Sequence, residues 1–150
     1  MTKKFLWLTL ICIHTVVFVG AGERHSIGLA SGMVYLSDDK KFDPGLQLEY
    51  SYSFMQGKSP FSVGSAVEVI FGEERHIGLG LQMGYSPIKG WDLGVGPGVM
   101  FEGDNHYFSI NIATSYGFDL GKISIGPAVE LAHTGKHYHF LSGLLIELDF

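Results

Sequence analysis

Through eight separate segments of this sequence an apolar side chain recurs at every second position, and any fold of the chain has to place that alternation somewhere. The last segment shows it best. Tyr138, Phe140, Leu144, Ile146, Leu148 and Phe150 fall on one face, with Ser142 as its polar member. His139, Leu141, Gly143, Leu145, Glu147 and Asp149 fall on the other. A period of two belongs to a strand, because successive side chains point to opposite faces. The first segment sets Ile27, Leu29, Met33 and Tyr35 against Ser26, Gly28, Ala30 and Gly32. The fifth sets Trp91, Leu93, Val95, Val99 and Phe101 against Asp92, Gly94, Gly96, Gly98 and Glu102. Turn-forming residues separate the segments: Ser37 to Pro44 (the longest loop expected), Gln56 to Ser59, Gly72 to Arg75, Pro87 to Lys89, Asp104 and Asn105, Gly121 and Lys122, Thr134 and Gly135.

The faces are unequal. The second face is mostly Gly, Ala and Ser with isolated carboxylates, and only 17% of the chain is charged. A water-facing surface carries more charge than that. A narrow barrel interior, by contrast, has room for little beyond small side chains. The large apolar face therefore points outward. It bears aromatics at both ends: Tyr52, Phe54, Phe61, Tyr85, Trp91, Phe118 and Phe150 towards one rim, Tyr35, Phe71, Phe101, Phe108 and Tyr138 towards the other. Two aromatic belts are what two membrane–water interfaces require. A soluble lipocalin-like binding barrel has the same alternation with its faces exchanged, and is the alternative to weigh against this reading.

Ahead of the strands, Lys3 and Lys4 precede an apolar run from Phe5 to Phe18, and Val19, Gly20 and Ala21 offer small residues for cleavage. The reading is a signal peptide over 1–21 and a single barrel domain over 22–150. Cys12, the only cysteine, lies in the apolar run, so the mature chain has neither disulfides nor a thiolate metal site. Without Lys3 and Lys4, eight basic residues face fifteen acidic ones, which argues against nucleic acid as a partner.

Signal segment, alternating strands, aromatic belts and the terminal Phe150 together resemble the small eight-stranded bacterial outer membrane β-barrel proteins. The resemblance lies in architecture and carries no catalytic motif. It implies an all-β, eight-stranded antiparallel up-and-down transmembrane barrel in the outer membrane of a Gram-negative envelope, with both termini in the periplasm. It also implies membrane lipid and lipopolysaccharide as surroundings, and barrel-assembly machinery that reads the C-terminal strand ending at Phe150. That group holds both passive envelope barrels and lipid-modifying enzymes, so fold alone does not choose between them. The expected role is structural or envelope-interacting, without an open pore. The rival is a lipid-binding or lipid-modifying barrel that holds an acyl chain inside.

Several residues bear on that choice. His76, His106, His133, His137 and His139 gather near one end with Glu73, Glu74, Asp104 and Glu130, and His137 with His139 puts two imidazoles on one strand face, a weak pattern for a metal. No cofactor follows from the sequence. A serine-based lipid hydrolase needs a nucleophile beside its base, and no serine accompanies these histidines, which points away from an enzyme. Gly78, Gly80, Gly94, Gly96 and Gly98 make a bare inner wall, open to a narrow ligand or to filling by larger neighbours. With Thr134 and Gly135 as a two-residue turn, Glu130 and His139 become an inward cross-strand pair. Pro97 and Pro127 interrupt strands on the outward face. Two-residue turns set Pro97 against Ile112 and Pro127 against Ser142, a possible lateral gate between strands five and six and between seven and eight.

Overall fold

Alternation this regular leaves the backbone one way to satisfy its polar groups, which is to pair each segment with the next. In the computed structural model, which describes residues 25–54, 60–73 and 75–150, it does so. The expected signal segment 1–21, the turn at 56–59 and Glu74 lie outside the described residues. The strands are β1 (His25–Leu36), β2 (Lys41–Ser53), β3 (Phe61–Phe71), β4 (Arg75–Ile88), β5 (Trp91–Glu102), β6 (Asn105–Tyr116), β7 (Ile123–His133) and β8 (Tyr138–Asp149). Beyond Gly117, Phe118–Asp119 continues β6 along the same partner. Each strand pairs antiparallel with the next, and β8 returns to β1 from Ser26–Asp149 to Leu36–His139, so the sheet closes and has no edge. The seam extends to the last residue, with Phe150 N donating to His25 O at 2.9 Å.

The apolar face is outside. Leu81, Met83, Phe108, Ile112 and Leu144 are each more than half exposed. A lipocalin-like barrel would turn this face inward, so that alternative is overturned. The aromatic belts form as ring contacts at both rims. Tyr35 lies 5.1 Å from Phe42 and 6.3 Å from Tyr138 at one, and Phe61 lies 5.2 Å from Tyr85 at the other. At the second rim Trp91 Nε1 donates to Thr114 Oγ1 at 2.9 Å, as an indole at an interface does.

Among the turns that differ from the sequence reading are those after β1, β5 and β7, and the last two each move an expected register. The long loop expected from Ser37 to Pro44 is short, because β2 already begins at Lys41 and Lys40 turns the chain at φ 54°. The β5–β6 turn is Gly103–Asp104, with Gly103 at φ 57°, rather than Asp104 and Asn105. Glycine takes that left-handed conformation without strain, so it claims the turn. The β7–β8 connection runs from Thr134 to His137. Thr134 N donates to His137 O at 2.9 Å, and Gly135 holds φ 84°. A two-residue slip keeps every side chain on its face but changes its partner. Glu130 therefore faces Leu141, and His139 faces Ala132; they are not the cross-strand pair expected.

The prolines move with the registers. Pro97 lies beside Ile110 and Pro127 beside Leu144; Ser142 pairs with Val129. The ladders expected to be thin, β5–β6 and β7–β8, run past both prolines unbroken. The breaks fall on the other side of each proline. The β4–β5 ladder skips from Gly80–Gly98 to Met83–Val95, and the β6–β7 ladder from Ser115–Ala128 to Phe118–Ile125. That is where the missing N–H would have pointed. Neither break is a hole. A Cβ on Gly96 would sit 1.9 Å from Leu81 O, and one on Gly126 1.8 Å from Tyr116 O, so the facing backbone packs directly onto the glycine before each proline. Pro97, Pro127 and Ser142 therefore do not thin the β5–β6 and β7–β8 ladders, where the lateral gate was expected.

Candidate metal centre

The barrel interior has two unlike halves. The end with the described chain ends is the terminal end, and the end with turns 37–40, 72–73, 103–104 and 134–137 is the hairpin end. Just inside the hairpin end, Val34, Leu36, Ile70 and Leu141 form an apolar cluster, all 2% exposed or less. Met100 is buried there as well, with its Cε against the Gly78 position. β1 supplies Val34 and Leu36 because inward positions alternate, and β3 and β8 supply Ile70 and Leu141.

Towards the terminal end the interior becomes polar. Gln47 Nε2 donates to Glu130 Oε2 at 2.6 Å, so the partner of Glu130 is an amide from β2 rather than His139. Below this pair a cavity of about 310 Å³ runs from Glu130 and Leu141 to the rim residues His25, Gly90 and Asp149. Glu49, Gln82, Asp92 and Glu147 line it. At the mouth Ser26 Oγ and Ser51 Oγ share a hydrogen bond of 2.7 Å, and outside it Lys89 and Asp119 pair at 2.6 Å. The hydrogen bond with Asp119 holds the Lys89 ammonium above its ordinary range.

The glycine wall is not one continuous slot: Gly94 borders the terminal-end cavity, while Gly78, Gly80, Gly96 and Gly98 are covered. Gly80 faces Gly98, Gly84 faces Gly94, and Gly78 faces Met100. The space the glycines leave is filled from neighbouring strands. Gln82 covers Gly94, Met100 covers Gly78, and Asn111 Nδ2 comes within 3.0 Å of where side chains of Gly80 and Gly98 would begin. Gly96 packs on backbone, as described above. Leu141 and Leu145 lie over Gly45 and Gly28 rather than over this wall.

The hairpin end holds the densest chemistry. His76 enters from the start of β4, Glu102 from the end of β5, and His139 from the start of β8, all pointing inward and all buried. His137 joins them from the turn before β8. Glu102 Oε1 is the common point. It lies 3.5 Å from His139 Nε2, 3.6 Å from His137 Nε2 and 3.9 Å from His76 Nδ1. None of these is a hydrogen bond, which needs about 2.7–3.2 Å between heavy atoms. Among the described residues, none of these four atoms has a hydrogen-bond partner, and neither has His139 Nδ1. Leaving a buried polar group unpaired costs about 1–3 kcal/mol, so four converging on one point is a large local cost. The rings are arrayed as well: His137 and His139 stack 8° from parallel, and His76 lies 5.5 Å from His139. Asp38 stands at the outer edge, grouped with Glu102 and His137. Beside it, a hydrogen bond from Lys41 holds the Asp39 carboxyl below its ordinary range.

Of the five histidines singled out by sequence, the fold collects His76, His137 and His139 and leaves His106 and His133 exposed. Glu130 lies in the polar layer further in. Glu102 and Asp38 were not among the expected partners. Glu102 was legible, as an inward carboxylate one residue before a turn; which histidines it meets depends on registers that the turns decide.

No protein-family model matches the chain, and no curated protein does. Solved structures do. Neisserial surface protein A matches with a TM-score of 0.66 over 88% of this chain and 100% of its own, at 8% identity. The N-terminal β-barrel domain of Pseudomonas aeruginosa OprF gives 0.59 over 83% and 97%, at 10%. Ail, the attachment invasion locus protein of Yersinia pestis, gives 0.50 over 85% and 97%, at 17%. The fold is that of the small eight-stranded outer membrane barrels. At such identities the likeness is one of architecture, and residue roles rest on this chain's own geometry.

Proposed function

We propose that this chain is an integral outer membrane barrel of structural or envelope-interaction type that conducts nothing through its interior. One observation carries the reading: Val34, Leu36, Ile70 and Leu141 fill the bore beneath the hairpin end, inside a barrel whose outward face is apolar. Water and ions entering the terminal-end cavity meet hydrocarbon before they meet the other side. The outward face supports lipid as its solvent, since contiguous apolar surface this large is unstable in water. Membrane lipid and lipopolysaccharide are then its immediate surroundings, and the strand ending at Phe150, already part of the closing seam, is what assembly machinery would read. The rival reading, an interior that holds an acyl chain, finds no support in a cavity lined by Glu49, Asp92, Glu130 and Glu147.

The test is electrical. Mature protein refolded in detergent should migrate faster on a gel before boiling than after, and in planar bilayers it should give no conductance steps. Regular steps from the folded species would overturn the closed-barrel reading. Recovery as a folded monomer without detergent would overturn the membrane reading.

A further inference from the structure

We propose that His76, His139, Glu102 and His137 bind one zinc ion at the hairpin end of the barrel. A tetrahedral zinc site with bonds of about 2.0–2.1 Å sets its ligand atoms roughly 3.4 Å apart. The distances of 3.5, 3.6 and 3.9 Å from Glu102 Oε1 to the three imidazole nitrogens are close to those edges, too long for hydrogen bonds and too short for an intervening side chain. His76, Glu102 and His139 form the fixed part, with one ligand atom from each lying within 4.8 Å of the others. All three are at least nine-tenths buried, and their inward atoms find no partner among the described residues. His137 stands apart from that triad: its Nε2 is 3.6 Å from Glu102 Oε1, but it groups with Asp38 and Glu102 rather than with His76 and His139, so its turn has to bring the ring inward for it to take the fourth position.

The donor set selects the ion. Three imidazoles and one carboxylate suit borderline divalent metals; calcium and magnesium ask for more oxygens, and copper(I) for sulfur. Four protein ligands leave no open position, which is the pattern of a structural site rather than a hydrolytic one. There is also a way in. His137 and Asp38 stand at the edge of the cluster that faces out of the barrel, with Asp38 exposed, so an ion arriving from that side meets ligands before it meets the apolar layer. The ligands come from β4, β5 and the β7–β8 turn with the start of β8. One bound ion therefore ties three hairpins together at the rim and holds the bore shut there.

The proposal is tested on the detergent-folded barrel, stripped with chelator and then given zinc alone. Unmodified protein should retain one zinc per folded chain after gel filtration, and the temperature at which its gel mobility changes should rise with added zinc, because the ion binds only the folded form. Cobalt in place of zinc should give the intense visible bands of tetrahedral coordination. Glu102→Gln and His139→Ala should each weaken binding a hundredfold or more, and His137→Ala at least tenfold. The double variant His106→Ala, His133→Ala should bind as the unmodified protein does. If Glu102→Gln or His139→Ala does not fold, His137→Ala, at a turn position outside the strands, decides the matter. The proposal is overturned if the unmodified barrel retains no zinc, if cobalt gives only weak octahedral bands, or if His137→Ala binds as tightly as the His106, His133 control. A conducting barrel that still binds zinc would defeat the closed-bore reading above and leave this site standing.

Discussion

The two halves of the bore are walled by the same eight strands with the same inward alternation, yet one is packed and the other is roomy. At the hairpin end the inward positions are Val34, Leu36, Ile70, Met100 and His139, each 2% exposed or less. At the terminal end they are Ser51, Gly84, Gly94, Glu49 and Glu147, around about 310 Å³ of space. The circumference is common to both, so the difference lies in side-chain volume and in whether polar groups find water. The comparison teaches that barrel closure and bore closure are separate properties. Backbone pairing supplies the first along the whole length, and a handful of branched side chains supplies the second at one level only.

Seven substitutions would break or sharpen this contrast. The largest effect is expected from Leu36→Asp, which places a carboxylate among hydrocarbon; an unpaired buried charge costs about 3–5 kcal/mol, enough to erase the fast-migrating folded band. Leu145→Asp, which borders the polar cavity, should keep that band. Comparable loss in both would mean the two halves are not distinct. Next comes Ile70→Ala, which opens a void in a packed cluster and should cost about 2–5 kcal/mol in urea unfolding in detergent. Leu145→Ala, beside existing space, should cost well under half as much.

Smaller still is Gln47→Ala. It removes the donor to Glu130 Oε2 and should cost about 1–3 kcal/mol, since the carboxylate stays buried without it. Glu130→Gln should cost less, because an amide can still pair with Gln47. Equal effects from the two would show that water from the cavity already serves Glu130. The smallest is Lys89→Ala, which removes an ion pair at the exposed rim of the terminal end and should leave the unfolding midpoint unchanged.

How much of this was legible follows from what the sequence encodes locally. Alternation is local, so the strands and the identity of the outward face were readable from residues such as Leu81, Phe108 and Leu144. Registers were not, because each depends on one or two residues in a turn. Reading Asp104 and Asn105 as the turn instead of Gly103 and Asp104 was enough to misplace Pro97, and counting Thr134 and Gly135 as the whole β7–β8 connection misplaced His139. Period two hides such errors, because a slip of two leaves every inward residue inward. The site suffered more than the fold. Of the five histidines read as neighbours, His76, His137 and His139 come together, but their carboxylate was sought among Glu73, Glu74, Asp104 and Glu130 rather than at Glu102. The prolines were rightly seen as interruptions and wrongly assigned to the ladder on the far side.

The seam between β1 and β8 has a consequence for how chains find one another. A Cβ on Gly32 would sit 2.2 Å from Ser142 O, and one on Gly143 2.2 Å from Ser31 O, so each strand accepts its partner only because both residues are glycine. During assembly this seam joins strands from opposite ends of the described chain, and until it forms, both are open edges to which a foreign strand could add. A stranger with a side chain at that position collides with a carbonyl and is rejected. A second copy of this chain carries the same glycines and is not. What favours self-closure over exchange is then concentration alone, since a chain's own edge is held near it by the six strands between. Refolding at rising protein concentration should therefore yield strand-exchanged dimers, and Gly143→Val should suppress both them and the closed monomer.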